Sequence, residues 1–428
     1  MKTSNKKITA FKYSFLFILL FEILPGIVHA QQLKMYDFVL FGGNGNCPNG
    51  AGQKAPLAPG CAVQIGSTNN INGNGLIGSY SLVQSTGNAN IEGSLHSGGL
   101  ISLSNNNTLS GRITVANSLN LAGAVLQVGS GATIAGNIEV NGDVIIAGGT
   151  VEGVVRQPSA SNTYVGPVPA GGRIIAPLNL PVLPAMPKII SINTGSVTTD
   201  ITNTKTITKG TYRNVNLSNN KTLTFSDTGT YIFNSITLAN SNLFVFDFKN
   251  RPTGVIRIYV AGNMFLDKIR TSIINGGSAS RIFTETNGNG GTGTYAFTIS
   301  NGQGTLRSIW SGTVWAPYAG ILIGSGTGNS DITGALWSAA QVNINSGVNI
   351  NYEPFLLECT NPIANVGPDK VIDCINTTNQ LAATVGTGLQ FNWLVANAGN
   401  ILSGANTLTP TVNAGGDYIL RIGNFNER

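Results

Sequence analysis

The stretch IAGNIEVNGDVIIAGGTVEG, residues 134–153, places short apolar clusters around Gly136 and Gly153 and contains no basic residue. The same order of apolar residue, any residue, glycine, any residue and apolar residue recurs through residues 76–155. There are six copies: LIGSY (76–80), IEGSL (91–95), LSGRI (109–113), LAGAV (121–125), IAGNI (134–138) and VEGVV (151–155). Their central glycines are 15, 18, 12, 13 and 17 residues apart. A repeat of this length is typical of one coil of a β-solenoid.

Stacking of such coils accounts for the composition. One coil cannot bury its apolar side alone, so neighbouring coils must form the core together. Equivalent positions then lie about 4.8 Å apart, where like charges repel and Asn, Ser and Thr can form hydrogen-bonded ladders. Charged residues are 10% of the chain, against about 25% in ordinary globular proteins. The alternative is an irregular β-sandwich with glycine-rich loops.

The chain is predicted to be all-β throughout, with two solenoid regions and a small β-sandwich. Residues 31–156 form the first solenoid region, and residues 157–188 contain seven of the 17 prolines, which predicts a linker or a strap. Residues 189–358 return to alternating strands and form a second β-helix-like region. Residues 359–428, with close turn signals and one central Trp393, predict the sandwich.

The N-terminus indicates export. Residues 1–30 have a basic start, an apolar middle and small residues at Val28 and Ala30, which predicts a signal peptide cut after Ala30. A transmembrane anchor is the alternative. The expected location is therefore secreted or cell-surface. The remaining chain has a net charge near +3 and no basic block, which argues against a nucleic-acid partner.

Four cysteines follow the leader. They form two local pairs, which in an exported chain predicts the disulfides Cys47–Cys61 and Cys359–Cys374. A zinc site is the alternative, but neither pair has CxxC spacing or a nearby histidine.

Three parts of the chain resemble known families. The pieces IEGSL, LSGRI and residues 134–153 resemble bactofilin-like, polymer-forming solenoids. GTYIFNSITL, VIRIYVAGNMFL, VWAPYAGILIG and ITGALWSAAQVNINSGVNINYEPF are similar to exported bacterial β-helix surface proteins and to ice-binding β-helices. The tail, with NVGPDKVIDC, FNWL and TPTVNAGGDYIL, resembles PKD-like or immunoglobulin-like modules of surface proteins in gliding bacteria. These resemblances imply a surface location and leave the activity open.

Few residues could carry chemistry. His96 is the one histidine after the leader, and we interpret it as an exposed turn residue. Glu92 and Glu152 occupy equivalent repeat positions four coils apart, about 19 Å, which exceeds the carboxylate separation of a glycosidase. Glu139 and Asp143 could meet around a turn, but without a third group we expect them to be solvated. We therefore predict no catalytic residues, no metal and no cofactor.

The aromatic residues Trp310, Trp315, Tyr318 and Trp337 could bind sugar rings, although a core role is favoured. The expected function is a non-enzymatic structural or adhesin-like surface protein. Its expected partners are a surface polysaccharide, a matrix protein or other copies of itself. The first alternative is a carbohydrate-active β-helix enzyme, a lyase or a hydrolase. The second is an ice-binding solenoid, for which Thr202, Thr204, Thr206 and Thr208 form one row that no neighbouring segment repeats.

Overall fold

The computed structural model describes residues 30–43, 62–290, 295–303, 306–356, 364–385 and 390–423, which belong to two compact units, residues 1–356 and 357–428. The predicted leader, apart from Ala30, and the cysteines Cys47, Cys61 and Cys359 lie outside these ranges. Cys374 is exposed, and its pairing with Cys359 stays a prediction. In the part of the chain that is described, no helix combines the length and the apolar character needed to cross a bilayer.

The first unit is a three-sided parallel β-solenoid, as the repeat predicts. Many of its strands alternate buried and more exposed residues, whereas first-face strands such as Phe38–Gly42 and Thr313–Ala316 are buried throughout. The strands form two stacks of coils. The first stack contains β1 (Phe38–Gly42), β2 (Val63–Ile65), β3 (Asn69–Asn72), β4 (Leu76–Ser79), β5 (Leu82–Ser85), β6 (Ala89–Ile91), β7 (Leu95–Ser97), β8 (Leu100–Leu103), β9 (Thr108–Leu109), β10 (Ile113–Val115), β11 (Ala124–Val128), β12 (Ala132–Ile134), β13 (Ile138–Val140), β14 (Asp143–Ile146), β15 (Gly149–Val151), β16 (Val155–Gln157), β17 (Tyr164–Val165) and β18 (Arg173–Ile175).

The second stack is formed by the remaining strands of this unit. They are β19 (Lys205–Ile207), β20 (Gly210–Thr211), β21 (Asn214–Leu217), β22 (Thr222–Ser226), β23 (Gly229–Phe233), β24 (Ser235–Leu238), β25 (Leu243–Asp247), β26 (Ile256–Val260), β27 (Met264–Leu266), β28 (Arg270–Ile274), β29 (Ile282–Thr286), β30 (Tyr295–Ser300), β31 (Ser308–Ser311), β32 (Thr313–Ala316), β33 (Gly320–Ser325), β34 (Ser330–Gly334), β35 (Leu336–Ser338), β36 (Val342–Ile344) and β37 (Val348–Tyr352). Two 3-10 turns occupy Met35–Asp37 and Ala279–Arg281.

The two stacks join at the middle of the solenoid. Strands three apart in the chain pair in parallel, and β16 pairs with β18 at the outer end. This gives a 13-stranded first face, a 12-stranded second face and a third face made of an eight-stranded and a four-stranded sheet. In all three faces the first coil of the chain, β1 to β3, lies between β4 to β6 and the last coil, β35 to β37. The first stack therefore grows outward from the centre, and the second stack returns to it.

The core changes character between the stacks. The first stack buries mostly aliphatic side chains, such as Ile113, Leu126 and Ile134. The second stack buries an aromatic cluster in which Phe225 packs against Tyr231 and Phe244 with ring centroids 5.1 and 5.3 Å apart. Both sets belong to one continuous hydrophobic core, so the two stacks stabilise each other by burying a common apolar surface.

A ladder of glycines occupies the corner that leads from the third face to the first. It contains Gly75, Gly93, Gly111, Gly136, Gly153 and Gly171. A Cβ added to any of them except Gly75 would overlap the backbone of the preceding glycine in the ladder. In Gly136 this Cβ would lie 2.2 Å from the carbonyl oxygen of Gly111. Four repeat glycines from the sequence belong to this ladder. Gly78 lies within β4, and Gly123 lies in an insertion between β10 and β11 with a φ of +77°.

A strap covers the outer side of the first face. The proline-rich stretch was predicted as a linker or strap over residues 157–188, but β16 to β18 place residues up to Ile175 within the solenoid. Pro167 and Pro169 lie between those strands, so they remove no ladder hydrogen bond. The strap consists of residues 176–200. Two backbone hydrogen bonds join the strap to the N-terminal segment. The carbonyl of Val182 accepts the Leu33 N–H at 3.0 Å, and the Val182 N–H donates to the carbonyl of Gln31 at 2.9 Å.

The second unit consists of small antiparallel sheets around one tryptophan. The strands are β38 (Ala364–Asn365), β39 (Asn379–Gln380), β40 (Thr384–Val385), β41 (Gln390–Ala396), β42 (Asn400–Ser403), β43 (Thr411–Ala414) and β44 (Asp417–Gly423). They pair as β38–β40, β39–β43–β42 and β41–β44. Trp393 is buried, and its indole N–H donates to the carbonyl of Thr407 at 3.0 Å. The all-β fold class, a solenoid followed by a small sandwich, is thereby confirmed.

Candidate functional site

The second face presents an outer column without ionisable side chains, which we call the uncharged face. In each of its 12 strands the residue between two inward-facing positions points outward, and the register aligns these residues along the stack. From one end to the other they are Asn216, Thr237, Phe265, Thr298, Leu322, Asn343, Gln64, Gln84, Ser102, Gln127, Ile145 and Val165. A solvated face of an ordinary protein carries charges, so twelve successive neutral positions are a distinguishing feature.

Amide and aromatic groups interact along this face. The Gln84 amide donates to Gln64 Oε1 on the neighbouring strand at 2.9 Å. The Asn343 amide donates to the hydroxyl oxygen of Tyr295 at 3.1 Å. Tyr295 is opposite Gly320 of β33, and Asn343 lies one strand further along. The tyrosine ring therefore extends across β33, where Gly320 has no side chain to lift it from the sheet.

The third face carries the asparagine ladders that the composition predicts. The Asn70 amide donates to Asn349 at 3.0 Å, and the Asn349 amide donates to Asp331 Oδ1 at 3.1 Å. A parallel bond of 3.0 Å joins Asn72 to Asn351. The other carboxylate oxygen of Asp331 pairs with Arg307. Two of these bonds connect the first coil to the last, so the ladders hold the two stacks together.

Threonines align at two places on the third face. Thr108, Thr133 and Thr150 share one register across β9, β12 and β15. The threonine row at residues 202–208 lies beside a second row of hydroxyl residues on the neighbouring strand, β22. Thr206 pairs with Thr224, and the same register places Thr204 beside Thr222 and Thr208 beside Ser226. The expectation that no neighbouring segment repeats the row was wrong, because the recurrence is 18 residues away across a corner. The next strand ends the array with Leu243, Val245 and Asp247.

The candidate carboxylates remain apart. Glu92 and Glu152 are three coils apart, with Ser110 and Ala135 between them, so their separation is about 14 Å rather than 19 Å. The difference arises because Ala122 lies in the insertion and forms no rung. The Glu92 carboxylate accepts the Gly73 N–H at 2.8 Å.

The second candidate pair also lies on separate faces. Glu139 belongs to β13 in the first face, whereas Asp143 begins β14 in the second face. The Asp143 carboxylate accepts the Thr163 N–H at 2.7 Å. The corner that separates these two residues therefore turns their strands onto different sides of the solenoid. No metal-binding group of three or more His, Cys, Asp or Glu occurs among the described residues.

His96 is buried, which corrects its interpretation as an exposed turn residue. It lies in β7 on the outer side of the first face, is 1% exposed, and its Nδ1 is 2.7 Å from the Thr114 hydroxyl. The Phe38 ring packs edge-on against it with centroids 6.2 Å apart. Burial lowers the pKa of His96 to about 3, and the charge of Arg112 adds to this effect. The ring is therefore neutral and structural at ordinary pH.

The tryptophans are structural as well. Trp310 points into the solenoid core, and Trp315 and Trp337 lie outside the first face within a second hydrophobic cluster. Met186 of the strap and Met35 of the N-terminal segment belong to that cluster. Tyr318, by contrast, is 55% exposed.

One acid is buried beneath the strap. Glu285 is 2% exposed, and its carboxylate accepts the Ile190 N–H at 3.3 Å. Asn287 donates to the carbonyl of Ile190 at 3.0 Å, so both polar groups of this strap residue are bonded. Burial raises the pKa of Glu285 to about 7, although the hydrogen bonds from Ile190 and Asn287 oppose the shift. Sequence reasoning did not select Glu285, because the strap residue that covers it, Ile190, lies 95 positions away in the sequence.

A polar cavity of about 330 Å³ lies at the corner between the second and third faces. Asp267, Lys268 and Gln303 line it, and Lys268 Nζ donates to Gln303 Oε1 at 3.2 Å. Its lining contributes one carboxylate, whereas glycoside hydrolysis uses a pair.

Comparisons with known proteins give two matches. Residues 187–359 match a family described as a domain of unknown function (DUF7305). A search of solved structures finds an ice binding protein from an Antarctic bacterium, Flavobacteriaceae, at 13% identity and a TM-score of 0.25, covering 68% of this chain and 81% of that chain. A match at this identity and TM-score supports no conclusion about the function of this chain. A search of the curated proteins finds no match.

Proposed function

We propose that this chain is a secreted or cell-surface protein without catalytic activity, which binds a neutral, hydroxyl-rich polysaccharide and so supports adhesion or matrix formation. The uncharged face carries the proposal. Eight of its twelve side chains are amides or hydroxyls that can bond to sugar hydroxyl groups, and no ionisable residue in this column favours an anionic or cationic ligand.

The rigidity of the solenoid supports this function. A single neutral hydrogen bond contributes only about 0.5–1.5 kcal/mol, so one rung binds weakly. Many rungs at a fixed spacing engage a polymer together, and the order already present in the sheet reduces the entropy lost on binding. The wide separation of Glu92 and Glu152 and the different faces of Glu139 and Asp143 support binding without turnover.

The second unit supports a surface role. Trp393 is buried in β41, and the Tyr418 hydroxyl donates to the carbonyl of Ala414, four residues upstream, at 2.5 Å. A central tryptophan and a tyrosine bonded to upstream backbone are features of immunoglobulin-like sandwiches. We propose that this unit is the PKD-like or immunoglobulin-like module that its sequence resembles.

A charge placed on the uncharged face tests the proposal. Gln84→Lys should abolish retention of the protein on insoluble neutral polysaccharide, because the lysine must lose water where the ligand offers no countercharge. Asn90→Lys, at an exposed position of the third face, is the matched control and should bind as the wild type does. Equal binding by both variants would remove the uncharged face from the proposal.

Location and activity need separate measurements. We expect fractionation to find the protein on the cell surface or in the medium, and a clean deletion to impair attachment. A panel of acidic and neutral polysaccharides should show no product. Turnover that disappears in Glu139→Ala or Asp143→Ala would instead favour the carbohydrate-active alternative.

Ice binding is the second candidate, and the threonine array of β19 and β22 favours it. Six hydroxyl groups stand in two rows of three, with rows about 4.8 Å apart and positions along each strand about 6.6 Å apart. We expect ice recrystallisation to be inhibited if this array binds ice, and Thr206→Lys to remove that effect. Full inhibition by this variant would exclude the array.

A further inference from the structure

We infer that the uncharged face contains a specific saccharide subsite, formed by Phe265, Tyr295 and Tyr318 and continued by the amides of Asn343, Gln64 and Gln84. This inference rests on the proposed function and names the part of the face that carries the affinity. The ligand class is a neutral hexose polymer whose chain lies along the stack, across the strands.

The aromatic part of the subsite begins at β27. Phe265 is 39% exposed and points outward beside Thr298 of β30. Tyr295 begins β30, and its ring crosses β33 because its hydroxyl oxygen accepts the amide of Asn343. Tyr318 lies two residues before Gly320, the residue paired with Tyr295, and is 55% exposed. Phe265 and Tyr295 thus belong to neighbouring strands of this face, and Tyr318 lies in the corner that leads into the next strand, β33.

The amide part continues in the same direction. Asn343 of β36 is followed by Gln64 of β2 and Gln84 of β5, each one strand further along. Together with the aromatic rungs they occupy six successive strands, about 24 Å from first to last. Gln64 belongs to the first stack and Asn343 to the second, so the subsite crosses the junction between the stacks.

The two parts match the two chemical surfaces of a sugar. A pyranose ring presents C–H groups, whose positive edges are attracted by the negative face of an aromatic ring. Its hydroxyl groups both donate and accept hydrogen bonds, as an amide side chain does. Tyr295 is held flat by its bond to Asn343, so little side-chain entropy is lost when a ligand binds.

The charge of the site selects among polymers. The outer positions of β27, β30, β33, β36, β2 and β5 contain no Lys, Arg, Asp or Glu. An anionic polysaccharide would therefore lose hydration without gaining an ion pair. We expect an uncharged glucan to bind more tightly than alginate.

Affinity electrophoresis tests the subsite with hydroxyethyl cellulose, laminarin and dextran as neutral probes and alginate as the anionic probe. The wild type should be retarded by at least one neutral polymer. Tyr295→Ala and Phe265→Ala should each raise the dissociation constant about three- to tenfold. Tyr295→Phe keeps the ring but loses the bond from Asn343, so its dissociation constant should lie between those of the wild type and Tyr295→Ala. Ile145→Ala, which removes apolar area from the same face far from the subsite, is the matched control.

The outcomes separate the two proposals. Phe265 lies on the surface, so its variant should keep the fold and can be judged even if Tyr295→Ala unfolds. Wild-type retardation that persists in Phe265→Ala and Tyr295→Ala would overturn the subsite and leave the proposed function standing. No retardation of the wild type by any neutral polymer would overturn both. Stronger retardation by alginate would overturn the neutral ligand class.

Discussion

At the scale of single residues, Glu285 and His96 are two titratable side chains whose burial gives the protein's stability a pH dependence. Both lie on the outer side of the first face, where Glu285 contacts the strap and His96 packs against Phe38. Burial raises the pKa of Glu285 to about 7 and lowers that of His96 to about 3. The neutral form is favoured in each case, but the pH dependence that follows has opposite signs.

Glu285→Gln should remove a stabilisation that acts at low pH. The folded protein holds the proton of Glu285 up to about pH 7, while the unfolded chain releases it near pH 4.3. The contribution of Glu285 to the unfolding free energy is therefore complete below about pH 4 and falls by up to about 1.4 kcal/mol per pH unit until pH 7. Relative to the wild type, the variant should gain stability as the pH rises through this window. Denaturant titrations at pH 4, 5.5 and 7.5 measure the difference.

His96→Gln should have the reverse effect. The unfolded chain protonates its histidine near pH 6.5, whereas folded His96 resists protonation down to about pH 3. Wild-type stability therefore falls as the pH drops below about 6.5, by up to about 1.4 kcal/mol per unit. Removing the histidine should reduce this acid sensitivity, as measured by chemical unfolding between pH 3 and 7. An unchanged acid slope would show that the buried ring does not control it.

These residues also show where sequence reasoning stops. The neutral, hydroxyl-rich composition correctly indicated ladders such as Asn70–Asn349. Burial of His96 and Glu285 depends instead on chain segments that pack against the outside of the first face. Phe38 precedes His96 by 58 positions, and Ile190 precedes Glu285 by 95. The sequence around His96 and Glu285 therefore does not show that a distant segment covers each of them.

At the scale of elements, the glycine ladder is the feature that determines how closely the coils stack. Gly136→Ala should destabilise the solenoid by more than about 3 kcal/mol, because the new methyl group meets backbone that cannot move away. Gly148→Ala is the matched control. Its Cβ would be 3.9 Å from the nearest side-chain atom, Cβ of Ser130, and the change should be neutral or slightly stabilising. Thermal unfolding of the two variants compares them directly, and similar melting temperatures would contradict the ladder's role.

The repeat predicted the element type and missed part of the register. IEGSL, LSGRI, IAGNI and VEGVV all supply glycines to the ladder. LAGAV fits the same pattern, yet its Gly123 lies in an insertion within a single coil. A repeat of variable length cannot distinguish a new coil from a longer corner, because both place an apolar residue near a glycine. This is why the separation of Glu92 and Glu152 was overstated by one rung.

At the scale of the whole molecule, the two stacks are joined through the first coil. Leu40 of β1 pairs with Leu336 of β35 on one side and with Ile77 of β4 on the other. The two solenoid regions were recognised from their strand patterns. Their order in space was not, since parallel pairing between residues almost 300 positions apart has no sequence signature.

Cleaving the strap should leave the stacks associated. A protease site inserted after Gly195, in the exposed end of the strap, would separate the chain up to Gly195 from the chain that follows it. The fragments share one core and three parallel strand pairings, so they should elute together in gel filtration and separate only in denaturant. The uncut insertion variant is the control. Separate elution under native conditions would contradict a shared core.

Because the first coil lies between the stacks, one of its edges has no partner until the last coil has been synthesised. Asn70 is made 279 residues before its ladder partner Asn349, an interval of roughly 14–56 s at about 5–20 residues per second. Throughout that interval β1 to β3 present an unpaired edge. A neighbouring copy that has already completed β35 to β37 offers strands of identical sequence to this edge. Exchange of halves between copies is therefore the characteristic assembly error of this topology, and its frequency should rise with the rate of expression.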